Sequence, residues 1–152
     1  MSEVKKFRGY FSSVISCRCP RCREGKLFQH SVSISLKKNM EMNKTCLVCG
    51  QATEIEVGFY YGTSYVSYAL TVGLSLVSLA IWGLTIGLSI NDNRFFIWMG
   101  CNAVLLIILQ PWLMRQSRSL WISWFVKYDP DWKDHQPEDV SERLNAEQAN
   151  NW

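Results

Sequence analysis

One long stretch of this sequence lacks charged residues: no Asp, Glu, Lys or Arg occurs between residues 57 and 91. A soluble domain has no need of so long an uncharged run. A helix rises ~1.5 Å per residue and needs about 20 mostly apolar residues to cross a ~30 Å hydrocarbon core, and residues 65–90 supply them. We therefore predict that residues 58–90 form a first transmembrane helix with an aromatic segment leading into it.

Charge is also absent from residues 95–114, which predict a second transmembrane helix. The polar turn at residues 91–94, Asn-Asp-Asn-Arg, is short enough to force the two helices antiparallel. The fold class that follows is a membrane α-helical hairpin of two transmembrane helices. With about a third of the 152 residues committed to lipid, too few remain for a large aqueous core.

Two further absences limit the function. No apolar run near the amino terminus could serve as a secretory signal peptide, since the first one begins roughly sixty residues in, so we expect an uncleaved amino terminus. No set of acids, bases and nucleophiles names a reaction, and two spans without a buried charge enclose no transport pathway. We therefore expect a non-enzymatic protein with no small-molecule substrate.

The net charge of +3 is divided unevenly, because residues 1–56 hold ten Lys and Arg against five acids. A basic segment beside a membrane span favours contact with the lipid bilayer over nucleic acid. Arg115, Arg118 and Lys127 follow the second span closely, whereas the turn has a single Arg that an Asp balances. Because cytoplasmic flanks carry the excess of Lys and Arg, both termini are predicted to face the cytoplasm.

Six cysteines are present, and two CxxC pairs, Cys19 with Cys22 and Cys46 with Cys49, carry the strongest chemical signal. A two-residue gap lets both thiolates of one tight turn reach the same ion, and four such ligands suit tetrahedral zinc. A glycine shortly after each pair allows the positive φ in which such turns often end. We predict a closed structural Zn site in a reducing cytoplasm, with a redox pair, iron or an incomplete site as the alternatives.

The segment around these cysteines, residues 17–57, is predicted to be a small N-terminal β zinc ribbon. Residues 32–36 alternate apolar and polar side chains, as a strand with one apolar face does, and residues 37–39 would form the following turn. Cys17 is the odd thiol. It could be an alternate ligand or a hand-over site for a soft metal such as Cu(I), although a spare cysteine beside a filled site is more often passive.

Small and hydroxylated residues recur every three or four positions in the first span, which indicates a helix-packing surface. Two polar residues of the second span should bond to it: counting back from the turn puts Asn102 near the depth of Gly83 and Gln110 near that of Ser75. The predicted packing residues are Ser67, Thr71, Ser75, Ser78, Gly83, Gly87, Asn102 and Gln110.

Aromatic residues mark the membrane surface in this sequence, since Tyr and Trp have one polar and one apolar end. Residues 115–128 place apolar side chains opposite serines, which predicts an interfacial helix, and residues 1–16 could form another. Residues 129–152 make a polar acidic tail that we expect to be partly disordered. The predicted membrane-interface residues are Tyr60, Tyr61, Tyr65, Tyr68, Trp112, Trp121 and Trp124.

The cysteine pairs and the aromatic segment together resemble a bacterial membrane-protein family catalogued as domain of unknown function 983. The motifs are Cys19-Pro20-Arg21-Cys22, Cys46-x-x-Cys49-Gly50 and Gly58-Phe59-Tyr60-Tyr61-Gly62. The resemblance implies a zinc-ribbon head on a two-span hairpin in the bacterial inner membrane. It implies no reaction, although some members are encoded near assembly factors of respiratory oxidases, and it gives Cys17 no role.

Our leading hypothesis is an integral membrane adaptor or assembly factor. Its zinc head would face the cytoplasm, and its first span would dock a membrane-protein partner or a second copy of the chain. The alternative is a metallochaperone or thiol-redox factor that serves assembly of a respiratory oxidase. In that alternative Cys17, Cys19 and Cys22 would pass soft metal or electrons.

Overall fold

The computed structural model describes residues 9–33, 35–89 and 92–144. Within these ranges the chain forms two long apolar helices and no strand. We call residues 9–62 the head, the two long helices the hairpin, and residues 126–144 the tail. The helices are α1 (Tyr10–Ile15), α2 (Leu36–Met40), α3 (Thr63–Thr85) and α4 (Arg94–Phe125), with short 3-10 turns at Phe59–Gly62 and Ser141–Arg143.

Helices α3 and α4 pack side by side as the hairpin. Both are long and apolar enough to cross a membrane, by length and composition. Their apolar side chains that point away from the helix pair are exposed: Leu84 is 89% exposed and Ile107 is 74% exposed. Apolar surface of this extent is typical of a face that lipid or another protein covers.

Helix α3 ends at Thr85, short of the predicted end at residue 90. Gly87 has a φ of +85°, and its backbone N–H and that of Ile86 both donate to the Trp82 carbonyl, at 3.3 and 2.8 Å. A glycine in this left-handed conformation commonly ends a helix, because no Cβ opposes it. The prediction that Gly87 lies on a packing surface of the helix is therefore wrong, since the residue follows the end of α3.

The early end of α3 changes which residues of the two helices face each other. The sequence puts Asn102 near the depth of Gly83, but its Nδ2 donates to Ser75 Oγ at 3.1 Å and its Oδ1 accepts from Ser78 Oγ at 2.9 Å. Trp98 Nε1 also donates to Ser78 Oγ, at 3.2 Å. The predicted register is wrong by about two helical turns, because the connection is longer than the predicted turn.

Helix α4 is continuous, whereas the sequence predicts a span that ends at residue 114 and a separate interfacial helix at residues 115–128. Pro111 lies inside the helix without ending it. The head covers the second half of α4, so these residues continue the same helix instead of forming a separate one. The buried residues of this half are Leu113, Arg115, Gln116, Ser117, Ser119 and Ile122.

The buried guanidinium of Arg115 joins α4 to the head. Its Nε donates to the Asn39 carbonyl at 3.0 Å, and its Nη2 donates to the carbonyls of His30 and Ser31 at 2.8 and 2.9 Å. The Asn39 carbonyl lies in the last turn of α2, where a helix has no backbone donor of its own to offer. One side chain of α4 therefore satisfies three backbone acceptors of the head.

Two uncharged side chains of α4 also donate hydrogen bonds to backbone carbonyls, in this case those of α1. Gln116 Nε2 donates to the Ile15 carbonyl at 2.8 Å, and Ser119 Oγ donates to the Val14 carbonyl at 2.9 Å. Both acceptors belong to the last turn of this short helix. These contacts place α1 across α4, so the described part of the predicted 1–16 helix packs on protein.

The predicted β ribbon is not present among the described residues. The head instead has isolated antiparallel bridges, each one residue pair long, because its cysteine turns and loops leave little room for extended pairing. The bridges join Arg18 to Lys26, Phe28 to Met42 and Thr45 to Ala52.

Helix α2 includes the last residue of the strand predicted at residues 32–36 and all of the turn predicted at residues 37–39, and the described residues of the predicted strand before it form no strand. Asn39 explains the difference. Its side chain is fully buried, with Oδ1 accepting from the Ser33 backbone N–H at 3.1 Å and Nδ2 donating to the Pro111 carbonyl at 2.7 Å. The polar groups of this segment are therefore paired by a side chain instead of a neighbouring strand.

The described part of the tail packs against the head. Val126 and Val140 are only 8% and 5% exposed. This differs from the partly disordered acidic segment predicted at residues 129–152, because apolar residues of the tail find a buried position. The rest of the predicted helix at residues 1–16 and of the predicted tail at residues 129–152 lies outside the described residues, at residues 1–8 and 145–152.

Replacing Asn102 with Ala should lower the free energy of unfolding of the hairpin by roughly 0.5–1.5 kcal/mol, because it removes the bonds to Ser75 and Ser78. Cys101→Ala is the matched control, since Cys101 is the exposed neighbouring residue on α4. Thermal unfolding in mild detergent measures the difference. An equal loss from both variants would show that these bonds do not hold the helices together.

Candidate metal centre

Four cysteine sulfurs meet in the head. The Sγ atoms of Cys19, Cys22, Cys46 and Cys49 all lie within 4.8 Å of one another. The distances Cys19–Cys49 and Cys22–Cys46 are both 3.7 Å. Four thiolates ~2.3 Å from a zinc ion at tetrahedral angles are separated by about 3.8 Å, so the predicted set of four side chains fits a tetrahedral ion. This donor set suits zinc and iron alike.

Both CxxC turns have the same backbone geometry. Arg23 N–H donates to the Cys19 carbonyl at 2.8 Å, and Gly50 N–H donates to the Cys46 carbonyl at 2.9 Å. The donor residue has a positive φ in each turn, 57° at Arg23 and 73° at Gly50. Each turn therefore closes on its own first cysteine, which brings both of its thiols to the same side.

Gly25 serves a different purpose from the positive φ that the sequence suggests, which Arg23 adopts instead. A Cβ atom at Gly25 would overlap the Sγ atom of Cys46. The backbone of Gly25 also donates to Cys22 Sγ at 3.5 Å and accepts from the Cys19 N–H at 2.8 Å. Glycine is required here because backbone and sulfur approach so closely.

The pKa values of the four thiols are shifted in opposite directions. Cys19, Cys22 and Cys46 are buried, and Cys49 is half-buried. Hydrogen bonding with the Cys19 thiol lowers the pKa of Cys46 and lowers the pKa of Cys22 to about 6. The pKa of Cys19 is raised in turn, chiefly through hydrogen bonding with Cys22. Thiolate character therefore develops inside the group, and the thiolate is the form that binds a metal.

Arg21, inside the first CxxC turn, fastens the tail over the centre. Its side chain is 5% exposed, and Nη1 donates to the Cys49 carbonyl at 3.4 Å. Nη2 donates to Asp129 Oδ2 at 3.3 Å and to the His135 carbonyl at 2.7 Å, while the Arg21 carbonyl accepts from the Asp129 N–H at 3.1 Å. We call this group of contacts the Arg21–Asp129 clasp. The sequence predicts only a polar acidic tail at residues 129–152 and gives no sign of this distant partner.

The tail also contacts the second cysteine turn. Trp132 packs against the buried cluster that contains three of the cysteines, and the Pro137 ring lies 3.6 Å from where a Cβ of Gly50 would be. His135 Nδ1 lies 3.2 Å from Asp129 Oδ2. Residues 129–137 therefore pack beside the group of four cysteines.

Cys17 is outside the group of four sulfurs. It is half-buried with a φ of 49°, and its Sγ accepts from Gln116 Nε2 at 3.5 Å. Burial raises the pKa of the Cys17 thiol, and the nearby Arg115 only partly offsets this. A thiol in this state is a poor nucleophile and a poor metal ligand at neutral pH.

Two of the predicted membrane-interface residues turn inward. Tyr60 Oη donates to the Thr53 carbonyl at 2.5 Å, and Trp121 Nε1 donates to the Phe59 carbonyl at 2.8 Å. The polar tips of these two residues have partners inside the protein, and their place at a membrane interface stays a prediction. The exposed members of the set are Tyr61, Tyr65, Tyr68, Trp112 and Trp124.

Two of the predicted packing residues of α3 bond directly to a side chain of α4. Ser75 and Ser78 face α4, where Asn102 lies. Ser67, Thr71 and Gly83 are half-buried, and Thr71 Oγ1 donates to the Ser67 carbonyl of its own helix at 2.7 Å.

Gln110 lies elsewhere than predicted. It is exposed, and it lines a cavity with Ser64 and Ser67 instead of bonding near Ser75. The cause is the same shift of register that moves Asn102.

No family model, no curated protein and no solved structure matches this chain. The fold and the site define a class by themselves: a four-cysteine head joined to a pair of long apolar helices. The resemblance to the family catalogued as domain of unknown function 983 stays a prediction.

Gly25→Ala should abolish stable metal binding, because the added methyl group displaces the Cys46 thiol from the group of four. Gly100→Ala is the control, since a Cβ there has nothing within 4 Å. The two variants are compared by their metal content per chain, measured by mass spectrometry of the purified protein. Full metal content in Gly25→Ala would contradict the assigned site.

Asp129→Asn should loosen the tail, since it weakens the partly buried ion pair with Arg21. We expect roughly three- to tenfold faster cleavage of residues 129–144 by a protease and a similar gain in the rate of metal loss to a chelator. The exposed Asp134→Asn is the matched control. If the two variants behave alike, the clasp does not secure the tail.

Proposed function

We propose that this protein is an integral membrane adaptor or assembly factor in which a structural zinc ion fixes a cytoplasmic head on a two-helix membrane anchor. The observation that carries the proposal is a shared core. Cys19, Cys22 and Cys46 belong to the same buried cluster as Phe59, Ile122 and Val126, which lie at the ends of the two long helices. Metal and helices thus stabilise one body, which suits a protein that presents a fixed surface to a partner.

Membrane insertion is supported by the exposed surface of the hairpin. Its outward residues are aliphatic over most of both helices, and the tyrosines Tyr61, Tyr65 and Tyr68 are 66%, 79% and 72% exposed near the start of α3. Such tyrosines suit the headgroup layer. With the head basic and Lys127 beyond α4, both termini face the cytoplasm in this proposal, and the membrane is the bacterial inner membrane.

Zinc is supported by the sulfur separations and by the enclosure of the site. The 3.7 Å distances match a tetrahedron of four thiolates, and no open position for a reactant is needed in a structural site. The tail and the Arg21–Asp129 clasp cover the centre further. When bound, zinc would hold the two cysteine turns together, which the isolated bridges of the head do not accomplish alone.

The partner in this proposal lies in the membrane. The serines that the sequence offered to a neighbour are already bonded to Asn102 or to their own helix, so the outer side of α3, with Leu76 and Leu84, is left for a membrane protein or a second copy of the chain. Membership in the family catalogued as domain of unknown function 983 is part of the same proposal, on the strength of the cysteine pairs and the Gly58–Gly62 motif.

Native mass spectrometry with metal analysis, on the protein taken from its own membrane in gentle detergent, tests the proposal. We expect one zinc per chain and a co-purifying membrane protein or a dimer. A lone monomer that carries no partner, or a chain without metal, would contradict it.

Cys17→Ser separates the adaptor from the metallochaperone or thiol-redox alternative. An adaptor should keep its zinc and its partner, because Cys17 lies outside the four ligands and its thiol is occupied by Gln116. A carrier should lose transfer of soft metal or electrons. Metal content and partner recovery are compared with those of Cys101→Ser, which removes an exposed thiol of α4.

A further inference from the structure

A cavity of about 510 Å³ lies where the head meets the hairpin. A second cavity of about 350 Å³ shares four residues with it and continues between α3 and α4 as far as Ser67, Gln110 and Met114. The two form one cleft that begins beside the head and runs along the helices. The shared residues are Met40, Tyr60, Tyr61 and Arg118.

Arg118 is the charged residue at the junction of the two cavities. Its Nη1 donates to the Met40 carbonyl at 3.1 Å, and its guanidinium lies 4.9 Å from the centre of the Tyr60 ring. Its Nε is buried and has no hydrogen-bond partner. None of the ion pairs within the described ranges includes Arg118. Arg118 lines both cavities, so an anion bound there would offset the cost of its partial desolvation.

The polar part of the cleft has the charge that a phosphate group needs. Lys44 lines the first cavity together with Arg118, against a single acid, Glu54. A phosphodiester carries one negative charge and several acceptor oxygens, which a guanidinium binds well. Met40 and Met42 supply apolar wall beside these cations.

We infer that this cleft binds an anionic phospholipid, with the headgroup phosphate on Arg118 and Lys44 and an acyl chain along the groove between α3 and α4. The inference rests on the proposed membrane insertion of the hairpin. A free phosphate ion would occupy only the first cavity, whereas the second cavity, which extends to Gln110 and Met114 of α4, leaves room for part of an acyl chain. Arg118 would then bind a ligand, in addition to being one of the basic residues from which the cytoplasmic position of the termini is predicted.

The test compares lipid retention by native mass spectrometry of the full chain, with phosphatidylglycerol, phosphatidylcholine or inorganic phosphate added. We expect phosphatidylglycerol to be retained over phosphatidylcholine, and roughly tenfold weaker retention in Arg118→Gln. Lys44→Gln should weaken retention roughly threefold. Lys127→Gln, an exposed cation beyond the end of α4, should leave retention unchanged.

Equal retention of both lipids, or an equal loss in Lys127→Gln, would overturn the inference, and so would displacement of the lipid by inorganic phosphate. The unfolding midpoint shows whether Arg118→Gln folds. If it does not, the inference is tested by the preference of the unmodified protein for phosphatidylglycerol and by the lipid retention of Lys44→Gln. Alkaline extraction of membranes is run first. A protein released by alkali contradicts the proposed membrane anchor itself, whereas a retained protein without lipid preference contradicts only the lipid site.

Discussion

The head depends on hydrogen bonds that α4 donates to it. The described residues of the head form no strand, so turns, single bridges and side chains pair its backbone groups. Arg115, Gln116 and Ser119 of α4 reach the carbonyls of both short helices and of the loop between them. Buried carbonyls without partners are costly, so these contacts are what let an irregular segment pack tightly. The sulfur centre and α4 therefore stabilise the same body from two sides.

Arg115 and Arg118 contribute alike to the charge count but not to the structure. They are three residues apart on one helix and lie on the same side of it, but their guanidinium groups have different partners. Arg115 is saturated by three carbonyls of the head, while Arg118 has one carbonyl and a buried Nε without a partner. The first is structural, and the second is placed to accept a ligand. A rule that counts both as positive flank residues cannot separate these roles.

The features that could be predicted from the sequence are those with local signals. The two CxxC pairs predicted the four sulfurs that meet, and the uncharged runs predicted two long apolar helices. Residues 32–36 alternated like a strand, but the side chain of Asn39 turned the next residues into a helix by bonding to the distant Pro111. The Arg21–Asp129 clasp joins residues 108 positions apart. Contacts of this range leave no periodic trace, because neither partner is unusual in its own neighbourhood.

The Arg21–Asp129 clasp also imposes an order on biogenesis. Arg21 is synthesised before either long helix, and Asp129 follows both of them. Asp129 and the rest of the tail therefore leave the ribosome only after the four cysteines and both long helices. Until then the four thiols lack the contacts that Arg21 makes with Asp129 and His135.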